Sequence, residues 1–384
     1  MFYQLPPVGN LVQYCREAHP EPLLQSGFSP YQAEYFASGT AALAAAMIAA
    51  IRIKAVEQAE VILPAYGCPD LVSAVIFAGA KPVLVDLEPD RPWMDLEQLL
   101  ARISSSTVAI VAANLFGISE RIALLRQIAE PVGAVIIEDS AQAFPGNEEK
   151  NTWQGDLVVL SFGRGKPVNL LGGGAVLYRE ASLGDSLPID NADSAEGSTN
   201  QVFFRLKALI FNRMISPRLY WLPQSLPFLN LGETRYHPLS GIDAMDLTRL
   251  EMLPANIAAY QENGMETQNA LSEMLEEMDT AAIGLIDLPK ICRLSPKRRL
   301  LRYPLLVNES IRDRLYQQLH RLGSGASVMY PKPLPGIPGL DTLLGEQGPF
   351  PAAEAFAAGI LTLPTHRQVG LEDIANICQA LCSV

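Results

Sequence analysis

One lysine of this chain lies in a loop bordered by glycines, between two short apolar runs that are typical of strands. Lys166 follows SFGRG at residues 161–165, and three glycines occupy residues 172–174. Glycines let the backbone come close to another group, so this lysine differs from one on a solvated helix face. An amine in such a place can attack a carbonyl carbon and form a Schiff base. A solvated surface side chain is the other interpretation of any single lysine.

Two adjacent acids end another apolar run. The segment VIIEDSAQ at residues 135–142 brings Glu138 and Asp139, followed by small residues and Gln142. Ligand sites of α/β sheets lie at the carboxyl ends of the strands, where a carboxylate can keep the ring nitrogen of a ligand protonated. On these residues alone, an acid that caps the following helix is an equally good interpretation.

A third motif, SGTA at residues 38–41, leads into an Ala-rich segment. A glycine allows a tight turn, and the first N–H groups of the helix that follows are free to bind an anion. Thr40 adds a hydroxyl donor. An ordinary capped helix explains the same motif, so the motif predicts a phosphate site only together with other evidence.

The elements that must position these residues alternate between helix and strand from Ser38 to Tyr178. Runs such as EVILP (60–64) and TVAIVAA (107–113) alternate with amphipathic stretches such as ERIALLRQIAE (120–130). This pattern predicts an α/β fold, with a mostly parallel mixed sheet covered by helices on both faces. We assign residues 1–241 to this large domain and residues 242–384 to a smaller C-terminal α+β domain. A long amphipathic helix interrupted near Pro254 is expected close to the start of the second domain.

Residues 179–235 interrupt the alternation and are treated as an irregular insertion of the large domain. Its first part is polar and predicted to be a loop, whereas residues 201–231 are aromatic and basic and contain no acid. Helix plus coil that packs on the body of the protein, or on a partner subunit, is the first interpretation. Contact with a membrane surface or with substrate is the second, because basic residues interleaved with aromatics also suit such surfaces.

Composition and charge exclude several classes of protein. The 384 residues carry 29 Lys and Arg against 41 Asp and Glu, a net charge of −12 that disfavours binding to nucleic acid. No P-loop or GxGxxG motif follows a strand, and the four histidines stand too far apart for a metal site, so no metal is expected. Five scattered cysteines indicate a reducing compartment and a cytoplasmic location. No stretch is apolar enough to predict a transmembrane segment.

In their order and spacing, these motifs resemble those of the DegT/DnrJ/StrS family of nucleotide-sugar aminotransferases. That family uses pyridoxal phosphate (PLP) on the type I aminotransferase fold, which makes residues 1–241 the PLP-binding domain. The resemblance runs from about residue 36 to the C-terminus. Its landmarks are SGTAAL (38–43), VILPAYGCPDLVSAVIFAGAKPVLVDLEPD (61–90), NLFG (114–117), VIIEDSAQAF (135–144), SFGRGK (161–166), GGAVL (173–177), LSGIDAMDLTRLEML (239–253) and AAGILTLPTHRQVGLEDI (357–374).

The resemblance implies roles for individual residues. Lys166 stands where the family binds PLP covalently, and Asp139 stands where it pairs with the pyridine nitrogen, so both are predicted to be catalytic. Cys68 replaces the aromatic residue that the family stacks on the PLP ring, and Tyr66 is an alternative stacking residue. Thr40, Ala41 and Ser161 stand at the positions that contact the phosphate of PLP, and Gln142 stands where a side chain approaches its 3-hydroxyl. Gly39 is the remaining predicted cofactor contact.

The function that the resemblance implies is transfer of an amino group from an amino acid, such as glutamate, to a keto sugar linked to a nucleotide. The resemblance also implies a homodimer with active sites shared between subunits, and a role in polysaccharide biosynthesis. At least one of Arg213 and Arg218 is predicted to contact the nucleotide diphosphate, since an acidic protein needs local cations for that purpose. Two alternatives are open: a PLP enzyme with elimination or other amino-acid chemistry, and a non-catalytic or regulatory member of the same fold.

Overall fold

Seven strands form one mixed sheet in the computed structural model, which describes residues 3–147, 149, 153–188, 201–226 and 232–383. The strands are β1 (Gln32–Phe36), β2 (Glu60–Pro64), β3 (Lys81–Val85), β4 (Thr107–Ala113), β5 (Val135–Asp139), β6 (Leu157–Ser161) and β7 (Gly174–Tyr178). Their order across the sheet is β1-β7-β6-β5-β4-β2-β3. The five strands from β6 to β3 are parallel, whereas β7 runs antiparallel to both β6 and β1. The predicted mostly parallel sheet is therefore confirmed.

Both faces of this sheet are buried. Along β2, Val61 and Leu63 join the core on one face, and Ile62 joins the core on the other, because successive side chains of a strand point in opposite directions. The helices that cover the two faces, with those that follow the sheet, are α1 (Pro20–Phe28), α2 (Gly39–Lys54), α3 (Asp70–Phe77), α4 (Leu96–Arg102), α5 (Ile122–Ala129), α6 (Ala181–Asp185), α7 (Gln201–Met214) and α8 (Trp221–Gln224).

The second half of the chain builds a small antiparallel sheet, ordered β10-β9-β8, with helices around it. Its strands are β8 (Leu285–Asp287), β9 (Arg302–Val307) and β10 (Ile360–Pro364). The helices of this half are α9 (Leu247–Glu262), α10 (Glu266–Glu277), α11 (Thr280–Ile283), α12 (Leu288–Ile291), α13 (Glu309–Arg321), α14 (Asp341–Leu344), α15 (Pro351–Gly359) and α16 (Leu371–Cys382). The division of the chain at residue 241 stays a prediction, since α9 packs against α1 of the first half. Within the described ranges, no helix is both long enough and apolar enough to cross a bilayer.

The break in the predicted long helix lies elsewhere than the sequence indicated. Pro254 is inside α9, and the helix continues through it to Glu262. The chain leaves helical conformation at Asn263, the C-cap of α9, before α10 begins at Glu266. A proline removes one hydrogen bond of the helix, and here the packing of buried residues such as Met252 and Leu253 holds the helix together across it.

The insertion contains the predicted helix. Helix α7 covers residues 201–214 and buries Phe204 and Ala208 against the body of the protein, so packing on the body is confirmed for this face. Residues 189–200, most of the predicted polar loop, and residues 227–231 lie outside the described part of the chain.

The N-terminal segment runs across the molecule and touches both halves. Leu5 is fully buried, and its N–H donates to the carbonyl of Gly323 (2.9 Å). Further along, the side chain of Asn10 donates to the carbonyls of Lys166 (3.1 Å) and Pro167 (3.0 Å). The segment therefore holds the lysine loop from outside.

Candidate active site

A pocket lies where the carboxyl ends of β5 and β6 meet the first residue of α2, as expected for a ligand site in such a sheet. Among the residues predicted from the sequence, those that line the pocket are Gly39, Thr40, Cys68, Asp139, Gln142, Ser161 and Lys166. Ala41 does not line it, and the backbone N–H of Ala41 donates to the Ser38 side chain (3.1 Å). Arg213 and Arg218 do not line it either, so their contact with a diphosphate stays a prediction.

The loop that carries Lys166 is fixed at its backbone. Gly165 adopts a left-handed conformation (φ 71°), which turns the chain immediately before the lysine. Asn10 binds the carbonyl of Lys166, and the side chain of Asn169 donates to the carbonyl of Asn10 (3.0 Å). Within the described residues, the Lys166 amine has no hydrogen-bond partner, so it is available to a ligand.

The two adjacent acids of β5 have different surroundings. Glu138 is buried and accepts hydrogen bonds from the Asn114 side chain (2.9 Å) and from the backbone N–H groups of Gln154 (2.7 Å) and Gly155 (2.9 Å). Asp139 lines the pocket, where its Oδ1 accepts from the N–H of Ala141 (3.0 Å). Glu138 is thus engaged in holding a loop, and Asp139 is the acid that can meet a ligand.

Asp139 is a carboxylate with an incomplete set of partners. Burial raises its pKa, although the N–H of Ala141 and the positive charge of Lys166 pull the pKa down. In the described part of the chain its Oδ2 accepts no hydrogen bond. A buried carboxylate in this state is stabilised by a cationic donor, such as a protonated ring nitrogen.

The first turn of α2 is suited to an anion. The helix has 16 residues and no acid in its first turn, and its free N–H groups and dipole favour negative charge. Gly39 lies against Ser161, the last residue of β6, so the helix end and the Ser161 hydroxyl face one side of the pocket. The Thr40 hydroxyl donates to a carboxylate oxygen of Asp70 (3.0 Å).

The face of the pocket at Cys68 is closed by a tyrosine from the second half of the chain. Cys68 and Tyr330 line this face of the pocket together, and Tyr330 has a left-handed backbone (φ 50°). Burial and the carboxylate of Asp70 raise the pKa of the Cys68 thiol to about 12, so this thiol is neutral and no nucleophile. Tyr66, the alternative stacking residue, is fully buried behind the pocket, with its ring against Phe356 (centroids 4.9 Å apart).

Gln142 is held at both ends of its amide. Its oxygen accepts from the N–H of Phe116 (2.9 Å), and its nitrogen donates to the Tyr330 hydroxyl (3.2 Å). These two contacts fix which atom of the amide faces the tyrosine, and the side chain still borders the pocket.

Two polar residues of the pocket were not predicted from the sequence. Asp70 follows β2 in the GCPD segment, and the argument from carboxyl ends of parallel strands would have found it. Tyr330 comes from a loop far along the chain, and no local pattern marks it.

These residues fit PLP. The group has a phosphate, a ring nitrogen and a carbonyl carbon, and the pocket offers a helix N-terminus with Ser161, the unpartnered oxygen of Asp139 and the free amine of Lys166. Three complementary chemistries in one pocket are more specific than any one of them.

Comparison with known proteins points the same way. The sequence model described as the DegT/DnrJ/EryC1/StrS aminotransferase family matches residues 32–196 and 244–382. A UDP-2-acetamido-2-deoxy-3-oxo-D-glucuronate aminotransferase of Pseudomonas aeruginosa is 23% identical over 325 residues (84% of this chain and 78% of that protein). A UDP-N-acetyl-3-dehydro-alpha-D-glucosamine 3-aminotransferase of Acidithiobacillus ferrooxidans is 24% identical over 352 residues (90% and 82%). A pleiotropic regulatory protein of Geobacillus stearothermophilus is 26% identical over 316 residues (79% and 73%).

Solved structures share the fold. A DegT DnrJ EryC1 StrS aminotransferase from Brucella abortus superposes with a TM-score of 0.68 at 23% identity, covering 95% of this chain and 88% of the other. The NtdA protein of Bacillus subtilis, solved with bound cofactor PMP, superposes with a TM-score of 0.70 at 18% identity, covering 95% and 75%. At these identities the likeness establishes the α/β fold with its small second sheet.

Proposed function

This chain belongs to the DegT/DnrJ/EryC1/StrS aminotransferase family, and from that premise we propose that it transfers an amino group from glutamate to a keto sugar carried by a nucleotide. It is a PLP-dependent aminotransferase. The observation that carries the proposal is the placement of the Lys166 amine and the Asp139 carboxylate in one pocket, close enough for the lysine charge to act on the acid. The names of the P. aeruginosa and A. ferrooxidans relatives support a UDP-linked 3-keto sugar as the acceptor.

Different residues of the pocket have different roles in such a reaction. PLP supplies an electron sink for the carbon that loses or gains the amino group. The Lys166 amine would anchor the cofactor and, once free, would take the proton from the carbon that bears the amino group. Asp139 keeps the ring nitrogen protonated through its open oxygen, and the end of α2 with Ser161 binds the phosphate. Tyr330 covers the side at Cys68.

Covalent attachment tests the role of Lys166. Borohydride reduction of PLP-loaded protein, followed by peptide mapping, should place the cofactor on Lys166. Lys166→Ala should lose this adduct, whereas Lys81→Ala should keep it, because the Lys81 side chain is 70% exposed at the surface. An adduct on a different lysine would refute the assignment.

The reaction itself is tested in two halves. Glutamate should convert the bound cofactor to its amino form, and a UDP-linked 3-keto sugar should convert it back with formation of an amino sugar. Release of ammonia without a change in the cofactor would instead support the alternative of elimination chemistry. A panel of nucleotide keto sugars then identifies the acceptor.

A regulatory role is the second candidate, because the G. stearothermophilus relative carries a regulatory name. A regulatory protein of this fold has no need for the free amine of Lys166 beside the open carboxylate of Asp139. PLP-loaded protein that reacts with neither glutamate nor any keto sugar of the panel would favour this candidate.

We further propose that the enzyme is a homodimer that acts in the cytoplasm, in polysaccharide biosynthesis. Support comes from the family to which it belongs and from its five cysteines, all of which are free thiols. A monomeric mass in light scattering at micromolar concentration, with full activity, would contradict the dimer. The predicted diphosphate contacts are tested by replacing Arg213 and Arg218 with Gln, which should raise the KM for the sugar nucleotide and leave that for glutamate unchanged.

A further inference from the structure

Helix α7 does not line the pocket. Its exposed side carries a cluster of apolar side chains. Among the described residues, 16 large hydrophobic side chains are exposed, and five of them lie between residues 202 and 210. Leu206, Leu209 and Ile210 are each more than half exposed. Scattered apolar residues are normal on protein surfaces, but a cluster on one helix indicates an interaction surface.

The geometry of α7 separates three kinds of side chain. With a turn of about 100° per residue, Leu206 points about 160° away from Phe204, which is buried, so the apolar stripe faces away from the body. Arg205 and Lys207 project on opposite sides of this stripe, each about 100° from Leu206. Both are exposed, and the Arg205 guanidinium lies 5.3 Å from the centroid of the Tyr14 ring. An apolar stripe flanked by cations is typical of a helix that lies in a membrane interface.

The charge of this region is opposite to that of the whole protein. Residues 201–232 contain four cations and no acid, in a chain of net charge −12. We propose that α7 docks on an anionic lipid bilayer, with Leu206, Leu209 and Ile210 among the acyl chains and with Arg205 and Lys207 at the headgroups. The attraction to anionic lipid then offsets the repulsion that the acidic body experiences near the same surface.

Length and charge favour a bilayer over a second copy of the chain. The 14 residues of α7 span about 21 Å, too short to cross the ~30 Å hydrocarbon core but long enough to lie along its surface. In a twofold-symmetric contact centred on α7, the helix would meet its own copy and bring like charges together. Lysines are also depleted from protein interfaces.

Vesicle sedimentation of the full-length protein tests the proposal. Vesicles of phosphatidylcholine with 30% phosphatidylserine, about the anionic content of a cytoplasmic leaflet, should bind the protein, and pure phosphatidylcholine should bind it at least tenfold more weakly. Arg205→Gln with Lys207→Gln should weaken binding to anionic vesicles by more than tenfold, at about fivefold per cation. Leu206→Ser with Leu209→Ser should weaken it as strongly.

The matched control is Leu371→Ser. Leu371 is 83% exposed but precedes Glu372 and Asp373, so it offers an exposed leucine without cations. This variant should bind vesicles as the wild type does, and circular dichroism should show all variants folded. Because the two cations are exposed, the charge variant tests the proposal even if the leucine variant misfolds.

Three outcomes would overturn the proposal. The first is that anionic vesicles fail to sediment the wild type. The second is that they bind it but the α7 variants bind equally well. The third is that the leucine variant halves the mass measured by light scattering, which would make this face a contact between copies. None of these outcomes bears on PLP binding, which borohydride trapping tests separately.

Discussion

Gly39 and Ser161 are in such close contact that a Cβ atom at position 39 would lie 2.6 Å from both the Cβ and the Oγ of Ser161. Real Cβ atoms do not approach heavy atoms this closely, so any side chain at position 39 must push the start of α2 away from the end of β6. The contact sets the width of the anion-binding side of the pocket, and it explains why the helix begins with glycine.

We expect Gly39→Ala to raise the dissociation constant for PLP by about fivefold or more, since relief of the clash costs about 1–3 kcal/mol. Titration of the apo protein with PLP, followed by its visible absorbance, measures the change. Gly27→Ala is the control: no atom lies within 4 Å of the added carbon, and alanine favours the helical conformation of α1. Equal PLP affinity of Gly39→Ala and wild type would show that the phosphate binds elsewhere.

Asp139→Asn should raise the stability of the apo protein and lower the turnover of the PLP-loaded protein. Burial raises the pKa of Asp139 above its value in the unfolded chain. The ionised form therefore destabilises the apo protein once the pH exceeds the pKa of Asp139 in the unfolded chain. The variant should therefore be more stable than wild type without PLP at pH 7, and this gain should shrink as the pH falls toward 4. PLP-loaded variant should keep little of the turnover. A less stable apo variant would contradict the assignment of an uncompensated carboxylate.

Tyr330→Phe should loosen Gln142, because the phenylalanine removes the acceptor of the Gln142 amide nitrogen (3.2 Å). An unsatisfied buried donor costs about 1–3 kcal/mol, so the melting temperature of the apo protein should fall. PLP affinity should fall several-fold as well. Tyr3→Phe makes the same chemical change at an exposed contact with Asp373 (3.1 Å) and should alter neither quantity. Unchanged PLP affinity in Tyr330→Phe would remove this tyrosine from the cofactor pocket.

Because of His366, the free energy of unfolding is expected to fall in mild acid. Its Nε2 donates to the Pro6 carbonyl (2.8 Å), its Nδ1 accepts from the N–H of Gln368 (3.3 Å), and burial lowers its pKa to about 4. The neutral ring is therefore favoured in the folded state, and the stability this contributes is present above pH 6.5 and is lost as the pH falls toward 4.

His366→Gln removes the titrating group while leaving an amide that can donate to Pro6. Urea unfolding at pH 7, 6 and 5 measures the free energy of unfolding of wild type and variant. The value for wild type should fall relative to that for the variant as the pH falls. Extrapolated from pH 7 to pH 4, the relative fall should be on the order of 2 kcal/mol. A difference that does not vary with pH would mean that the ring is protonated equally in both states.

Local patterns predicted most of the large sheet, and long-range contacts account for what they missed. Strands β2 to β7 are continuous runs of Val, Ile, Leu and Ala, which burial on both faces requires. Strand β1, QAEYF, escaped notice because it is a half-polar edge strand, and its partner β7 is far away in sequence. The continuation of α9 through Pro254 depends on tertiary packing that overrides the propensity of proline.

The chemistry of the site was predictable only in part for a similar reason. Alternation along β5 implies that Glu138 and Asp139 face opposite sides, but the sequence does not say which side holds the pocket. Hydrogen bonds to Glu138 from Asn114 and from the loop before β6 decide the question. Tyr330 reaches the pocket only through the packing of the second half of the chain on the first.

The pairing of β1 with β7 has a consequence for how the protein is made. A ribosome releases β1 first, and at about 5–20 residues per second its partner strand follows on the order of ten seconds later. During that interval β1 is a strand without a neighbour, a state in which nascent chains aggregate or recruit chaperones. Tyr330 emerges later still, so the cofactor is captured by a finished chain rather than by a growing one.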